Sequence, residues 1–184
     1  MIFFNNYSEN IINYDLLNKF FYDSIKKIPK IKKIYLSFNC QNSSLKYLSS
    51  SLIALELISS QKSMLTFLKT SNILLKIKKG SPVGCTVILR NKAIDLFLSE
   101  FLIFIFPKIL YLNKQVDLKN NKTFSFQIKN PLLFYELEKR YQFFNKLTSL
   151  DITIVTNSKT KKELSVLLSS IKLIFSKCNS IGRV

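Results

Sequence analysis

The chain of 184 residues contains no histidine and no tryptophan, and it has only three glycines. Without histidine it lacks the side chain most often used as a general base, and no Cys–His nucleophile or mixed zinc site can form. Cys40, Cys85 and Cys178 have neither zinc-ligand nor disulfide spacing, so we predict free thiols in a reducing compartment. We therefore expect no metal and no cofactor.

The eleven acidic residues are also few, and they are scattered. Glu136 and Glu138 would share a face if their segment were a strand, but a solvated surface accounts for them better than an acid–base pair. Asp151 lies in a predicted strand, where an N–H donor or a lysine is its expected partner. Gly80 and Gly84 lack the Gly-Lys-Ser/Thr ending of a P-loop. We predict that the chain is not an enzyme.

Lysine dominates the charged residues. The chain has 28 lysines and arginines, and its formal net charge is +17 at pH 7. A charge of this size attracts a polyanion, which means nucleic acid or an anionic membrane face. Lysine contacts position RNA, whereas shape and loops that reach exposed bases supply specificity. A composite phosphate-binding surface is predicted from lysine runs with few acids between them, at residues 26–33, 69–79, 119–129 and 159–162.

The spacing of hydrophobic residues along the chain indicates one domain in which helices and strands interleave. Because 47% of the residues are hydrophobic, such a domain can bury a substantial core. Helices are predicted over residues 8–24, 43–60 and 92–106 and after a cap at Thr160, and strands over 30–38, 61–66, 85–90, 123–128 and 150–156. The strand at 30–38 is expected to have one basic face. The pattern predicts an α+β fold, with a largely antiparallel sheet flanked by helices, in a single domain of residues 1–184. Residues 173–184 form a C-terminal extension.

Two of the three glycines fall within one short segment, Gly80-Ser81-Pro82-Val83-Gly84. Glycine is costly in ordered structure, so we expect it where the backbone needs unusual dihedral angles. Lysines precede this segment, and β-forming residues follow it. Residues 67–90 therefore predict a strand–loop–strand hairpin with a long basic loop.

Residues 92–106 are apolar nearly all round, and Pro107 is expected to end this helix. A membrane span needs ~20 apolar residues. Charged residues and a proline interrupt this segment, at Asp95, Glu100, Pro107 and Lys108. A buried core helix is therefore expected. The alternative is a basic membrane-associated organellar protein that is anchored by residues 93–112 and holds its lysines against anionic lipid.

Five segments resemble, in order, those of one protein family. Residues 79–90, KGSPVGCTVILR, are similar to the Gly-x-Pro-Ile-Gly-Cys-x-Val-x-Leu-Arg signature of the family-five ribosomal proteins of the large subunit. Residues 150–160 resemble that family's Leu-Asp-Ile-Thr-Ile-x-Thr-x-Ala-Lys segment. Less specific similarities are to the first strand, to Ser-Gly-Gln-Lys-Pro and to Ile-Ile-Phe-Pro-Glu-Ile, at residues 28–34, 59–62 and 132–137. The resemblance as a whole extends over roughly residues 10–172.

The resemblance implies a structural protein of the central protuberance that binds 5S rRNA, where the ribosome retains it, and large-subunit rRNA. It also implies contacts with P-site tRNA, with neighbouring ribosomal proteins and with a small-subunit head protein, and no membrane partner. The tRNA-facing loop would comprise Lys78, Lys79, Gly80, Ser81 and Pro82. The rRNA side would comprise Ser37, Gln61, Lys62, Thr66, Lys69, Lys76 and Arg90.

The chain departs from the family pattern at several positions. Asn39-Cys40-Gln41 stands where the family carries a Gly-x-Gly turn, and Ser63 replaces its proline. Residues 111–123 lack the Gly- and Arg-rich stretch, and Phe67 and Leu68 dilute the basic run. The first and third of these changes lie near the expected rRNA contacts.

Composition and the N-terminus bear on the compartment. Isoleucine, asparagine, lysine, phenylalanine and tyrosine are abundant, as an AT-rich coding sequence would favour. The start Met1-Ile2-Phe3-Phe4 has neither the basic region of a secretory signal nor the arginines of a transit peptide. We expect a mitochondrial ribosome in the matrix and a gene in the organelle. A plastid or an AT-rich bacterium is the alternative.

Overall fold

The computed structural model describes residues 7–39, 45–71, 78–110 and 120–173. One antiparallel sheet has the strand order β2-β3-β1-β5-β4. Its strands are β1 (Ile31–Asn39), β2 (Met64–Phe67), β3 (Pro82–Leu89), β4 (Thr123–Ile128) and β5 (Leu150–Thr156). The α-helices are α1 (Asn13–Lys19), α2 (Leu45–Ser59), α3 (Lys92–Glu100), α4 (Phe106–Leu110), α5 (Tyr135–Glu138), α6 (Tyr141–Phe144) and α7 (Lys161–Ser170). This architecture confirms the predicted α+β class.

One face of the sheet is the floor of the hydrophobic core. Ile34, Leu36 and Phe38 alternate along β1 and are fully buried. In the strand register they lie beside core residues of β3 and β5, at Cys85, Val87, Leu89, Leu150, Ile152 and Ile154. A slip of one residue would turn this whole set to the other face, so the apolar alternation specifies the register. Burial of each large side chain contributes about 1.5–3 kcal/mol.

The strand β1 does not carry the predicted basic face. Lys32 and Lys33 are successive strand residues, and successive side chains point to opposite faces of a sheet. From Ile34 onward, one face of β1 is buried and the other carries half-buried Tyr35 and Ser37. The lysines of this segment therefore gather at the beginning of the strand.

A continuous helical run covers the core from Lys92 to Leu110, and Pro107 does not end it. The run passes from α3 through a π turn, Phe101–Ile105, into α4. In that turn the Phe106 N–H donates to the Phe101 carbonyl, five residues back. A π turn changes the position of the preceding carbonyls, and it is one of the devices by which a helix absorbs a proline. The prediction of a stop at this residue is wrong for that reason.

One side of the same helical run packs against the sheet, as expected of a core helix, whereas Ile103 and Phe104 on its other side are exposed. The Phe101 ring lies 5.8 Å from the Phe97 ring and 5.6 Å from the Phe126 ring of β4, between centroids. Ile94, Phe97, Leu98, Phe101, Ile105 and Phe106 are all buried. Within the four described ranges, no helix is both long enough and apolar enough to cross a membrane.

The N-terminal helix is shorter than predicted. A π turn, Ser8–Ile12, leads directly into α1, which ends at Lys19 because Phe20 is extended. Ile12 and Leu16 are buried, but the predicted apolar stripe does not continue, since Phe21 is 98% exposed. The backbone is already helical at Ile12, and no side-chain hydrogen bond of this residue caps α1.

The C-terminal helix follows the prediction closely. Thr160 caps α7 by accepting a hydrogen bond from the Glu163 N–H at 3.2 Å. The Glu163 carboxylate in turn accepts from the backbone N–H groups of Lys159 and Thr160, which completes a capping box. Such a cap contributes about 1 kcal/mol. Leu164, Leu167, Leu168 and Ile171 are buried, as their spacing predicts.

Several predictions fall outside the described residues. They concern the thiols Cys40 and Cys178, the rRNA-side residue Lys76, most of residues 111–123 and the extension beyond Leu173.

Candidate RNA interface

The face of the sheet opposite the core, here called the open face, is mainly polar, and it also carries the apolar residues Met64, Ile88 and Val155. Its side chains are exposed or half-buried, and they include Lys33, Tyr35, Ser37 and Asn39 of β1, Thr66 of β2, Thr86 of β3, Ser125 and Gln127 of β4, and Asp151 and Thr153 of β5. Hydroxyl groups pair across strands, as between Ser125 and Thr153, whose oxygens are 3.1 Å apart. Such a surface offers donors and acceptors to a ligand with many polar edges, as RNA has.

A row of three side chains crosses one corner of the open face. Asn39 Nδ2 donates to Asp151 Oδ2 at 2.6 Å, and Gln127 Nε2 donates to Asp151 Oδ1 at 2.8 Å. The three residues belong to β1, β5 and β4, which are neighbours in the sheet. Of the two partners expected for Asp151, the structure therefore provides N–H donors, and they come from side-chain amides.

Three of the predicted lysine runs meet at one end of the sheet. The Asn157 N–H donates to the Lys30 carbonyl at 3.1 Å, and the Thr156 N–H donates to the Lys122 carbonyl at 2.8 Å. These bonds join the beginnings of β1 and β4 to the end of β5, since both strands run antiparallel to β5. The resulting lysine end consists of the exposed residues Lys30, Lys32, Lys122, Lys159, Lys161 and Lys162.

The lysine end has six exposed lysines, and the carboxylate nearest to them along the chain is that of Glu163. The Glu163 carboxylate accepts from two backbone N–H groups in the capping box. Asp23 pairs with Lys27, and this is the one ion pair within the described ranges. Positive charge at this end therefore remains available to an external polyanion.

The fourth lysine run lies at the opposite end of the sheet, where β2 and β3 form the predicted hairpin. The connection closes through two backbone hydrogen bonds, Leu68 N–H to the Ser81 carbonyl at 3.0 Å and Gly80 N–H to the Leu68 carbonyl at 2.9 Å. Gly80 has φ +82°, a conformation that favours glycine. Lys78 and Lys79 are exposed beside it. Residues 72–77 lie outside the described ranges, so the long basic loop stays a prediction.

The expectation of unusual dihedral angles is met at Gly80 but is wrong for Gly84, which lies within β3 and has no positive φ. A Cβ at Gly84 would overlap the Phe38 carbonyl oxygen and would lie 3.2 Å from Thr66 Oγ1. Gly84 therefore allows β1, β2 and β3 to approach closely where they carry the open face.

The structure places the described residues of the predicted rRNA side at three locations. Ser37 and Thr66 lie on the open face, while Gln61, Lys62 and Arg90 are exposed at the β2 start and the β3 end, towards the lysine end. Lys69 follows β2 at the hairpin end, near Gly80 and Ser81. The amide row was missed because its members come from three strands, and no local sequence pattern connects them.

Two carboxyl groups on the helical side have raised pKa values. Burial raises the pKa of Asp95 above its usual range. Burial also raises the pKa of Glu100, and the negative charge of Glu136 adds to that effect. Glu136 and Glu138 are exposed on α5. Because this segment is a helix and not a strand, the two residues do not share the face that a strand would give them. In the part of the chain that the structure describes, no group of three or more potential ligands could hold a metal ion.

Known proteins resemble the chain over nearly its whole length. A family model for the C-terminus of the ribosomal L5 family matches residues 82–175. The large ribosomal subunit protein uL5m of Reclinomonas americana is 37% identical over 173 residues, which cover 92% of this chain and 95% of that protein. The uL5 of Wigglesworthia glossinidia brevipalpis is 37% identical over 177 residues, with coverages of 93% and 97%. The uL5 of Oceanobacillus iheyensis is 32% identical, with coverages of 93% and 96%. The chain therefore belongs to the uL5 family of large ribosomal subunit proteins.

Proposed function

We propose that this protein binds 5S rRNA, where its ribosome retains one, and large-subunit rRNA in the central protuberance, and that it contacts P-site tRNA and a small-subunit head protein. The observation that carries the proposal is the convergence of three lysine runs at one end of a polar sheet face. Membership of a family of structural ribosomal proteins also confirms the prediction that the chain is not an enzyme.

Two adjoining surfaces support rRNA binding. The lysine end supplies phosphate contacts, which release counterions and give affinity but little sequence information. The open face, with Ser37 and Thr66, supplies hydrogen-bonding groups for exposed bases and ribose hydroxyls. Gln61, Lys62 and Arg90 extend the basic surface from the lysine end towards β2 and β3. Lys69 and Lys76 belong to the same proposed rRNA set.

The hairpin end is proposed to face the P-site tRNA through Lys78, Lys79, Gly80, Ser81 and Pro82. The Ser81 hydroxyl donates to the Lys78 carbonyl at 2.6 Å, and the positive φ of Gly80 shapes the same turn. This bonding holds two exposed lysines at the end of the sheet that is remote from the lysine end. One chain can therefore contact two RNA molecules at once.

Reversing both charges in this turn, in a Lys78→Glu, Lys79→Glu variant, is expected to weaken P-site tRNA binding and to leave subunit assembly largely intact. The loss of about two phosphate contacts predicts a roughly 10- to 100-fold weaker tRNA-side interaction. Filter binding of tRNA to purified ribosomes, together with sedimentation of the subunits, measures the two effects separately. A Lys108→Glu, Lys139→Glu variant is the matched control. Failure of the hairpin variant to enter large subunits would show that the turn serves assembly.

We assign the protein to mitochondrial ribosomes, with its gene in the organelle. The abundance of residues that an AT-rich coding sequence favours supports this assignment, as does the similarity to the uL5m of Reclinomonas americana. The bacterial uL5 of Wigglesworthia has the same identity to this chain, 37%. Epitope tagging and gradient sedimentation test the function and the location together. The tagged chain should sediment with mitochondrial large subunits, and its absence from large subunits at moderate salt would overturn the proposal.

A further inference from the structure

We infer that Asp151 is a positioning residue, which holds the Asn39 and Gln127 amides in fixed orientations so that they recognise the edge of an exposed RNA base. This inference rests on the proposed rRNA-binding function, and it assigns base recognition to one corner of the open face. The lysine end and the hairpin end, by contrast, contact the phosphate backbone.

The geometry of the row restricts both amides. Asp151 lies on β5, and Gln127 is its direct cross-strand neighbour on β4. Asn39 ends β1 and is held from two sides. Its side chain donates to Asp151, and its backbone carbonyl accepts from Thr148 Oγ1 at 2.9 Å and Tyr47 Oη at 3.4 Å. Holding a side chain in place before binding reduces the conformational entropy that binding must overcome.

The charge of Asp151 decides which way each amide points. An ionised carboxylate only accepts hydrogen bonds, so the –NH2 group of each amide must face it. Each amide then keeps one N–H and its carbonyl oxygen for another partner. That pair of groups is what asparagine and glutamine use when they bind a base edge with two hydrogen bonds.

A carboxylate is otherwise an unfavourable group on an RNA-binding surface. A negative charge repels phosphate, and the formal net charge of the chain is +17. Asp151 is half-buried on the open face, and both of its oxygens are hydrogen-bonded. Its place there is explained if it orients the two amides, and is not explained by phosphate binding.

Asn39 also stands where the resembled family carries the first glycine of a Gly-x-Gly turn. Glycine has no side chain to reach Asp151, so the hydrogen bond at 2.6 Å depends on the residue that this chain has at the position. The substitution thereby acquires a structural role, because it completes the amide row.

The test is an RNA-binding comparison with transcripts that tile the rRNA of the large subunit carrying this protein. The transcript that binds most tightly serves as the probe, and poly(U) serves as the nonspecific RNA against which its affinity is compared. An Asp151→Asn variant should bind the probe about 10-fold more weakly, because its added –NH2 group faces an amide –NH2 group. Its binding to poly(U) should be unchanged or tighter, since a negative charge is gone. The dependence of probe affinity on salt should keep its slope, because no phosphate contact is lost.

A double-mutant cycle separates positioning from independent action. If Asp151 acts through Asn39, the two losses of affinity should not add. The Asn39→Ala, Asp151→Asn double variant should then bind the probe as tightly as the single variant with the lower affinity. Gln127→Met provides an independent test in case the Asp151→Asn variant folds poorly. Gln127 lies on the edge strand β4, and its replacement should also weaken binding of the probe. Ser49→Ala is the control, since it removes an exposed hydroxyl group from α2, outside the open face and both basic ends.

Three results would count against the inference. Equal tightening on the probe and on poly(U) in Asp151→Asn would show simple charge repulsion, and additive losses in the cycle would show separate contacts. Unchanged probe binding in Gln127→Met would remove that amide from recognition. If the unmodified protein bound none of the transcripts more tightly than poly(U), the proposed function itself would fail.

Discussion

Gly84→Ala is expected to lower the free energy of unfolding by about 2–3 kcal/mol, the range of an overpacked core position. The added Cβ would overlap the Phe38 carbonyl oxygen, and this atom belongs to the central strand of the sheet. A flexible side chain could move aside, but a backbone carbonyl in a sheet can move only if β1 and β3 separate. Because both strands carry the core and the open face, the substitution should also reduce RNA binding in proportion to the unfolded fraction.

Urea unfolding followed by circular dichroism measures this loss, and Gly80→Ala is the comparison. Gly80 has φ +82°, but no atom lies within 4 Å of a Cβ built there. Its substitution should therefore cost only the backbone strain, about 1 kcal/mol. Equal losses in the two variants would show that close approach of the strands at Gly84 does not limit stability.

Neutralising the lysine end is expected to have the largest effect on RNA binding. A Lys30→Gln, Lys122→Gln, Lys159→Gln variant should bind large-subunit rRNA roughly 100- to 1000-fold more weakly at 0.1 M salt, if each lysine contacts one phosphate. The slope of the logarithm of affinity against the logarithm of salt concentration should fall in magnitude by roughly three. The fold should be retained, since the structural hydrogen bonds of Lys30 and Lys122 are made by their backbone carbonyls.

The matched control removes the same charge elsewhere. Lys46, Lys108 and Lys146 are exposed on or beside helices. Their combined replacement by glutamine lowers the net charge equally but leaves the lysine end intact. Filter binding over a salt series compares the two variants. Comparable losses would mean that total charge, and not the location of the lysines, governs binding.

Local sequence patterns predicted most of the sheet correctly. Leu150–Thr156 and Thr123–Ile128 form strands at the bounds that their alternation indicates, because half-buried antiparallel strands impose that period on the sequence. The Thr160 cap was also predictable, since its partner Glu163 lies only three residues away. Errors occurred where tertiary packing overrides a local rule, as in the π turn that carries the helix past Pro107.

The functional residues divide in the same way. The hairpin glycines and lysines are contiguous in the chain, so the resemblance located the turn and its proposed tRNA contact. The sequence showed four separate lysine runs, but it could not show that three of them meet while the fourth lies at the other end of the sheet. Strand order decides this, and strand order depends on long-range pairing.

The sequence alone determined the α+β class, the basic character, the resemblance to large-subunit ribosomal proteins and the turn at Gly80. These properties reside in composition and in short segments. Tertiary structure alone decided which face of the sheet is open, which lysines share one end and which amides meet Asp151. Asn39 and Asp151 are 112 residues apart in the chain, yet they are hydrogen-bonded. Their meeting follows from the pairing of β1 with β5, because antiparallel register brings the end of one strand to the beginning of the other.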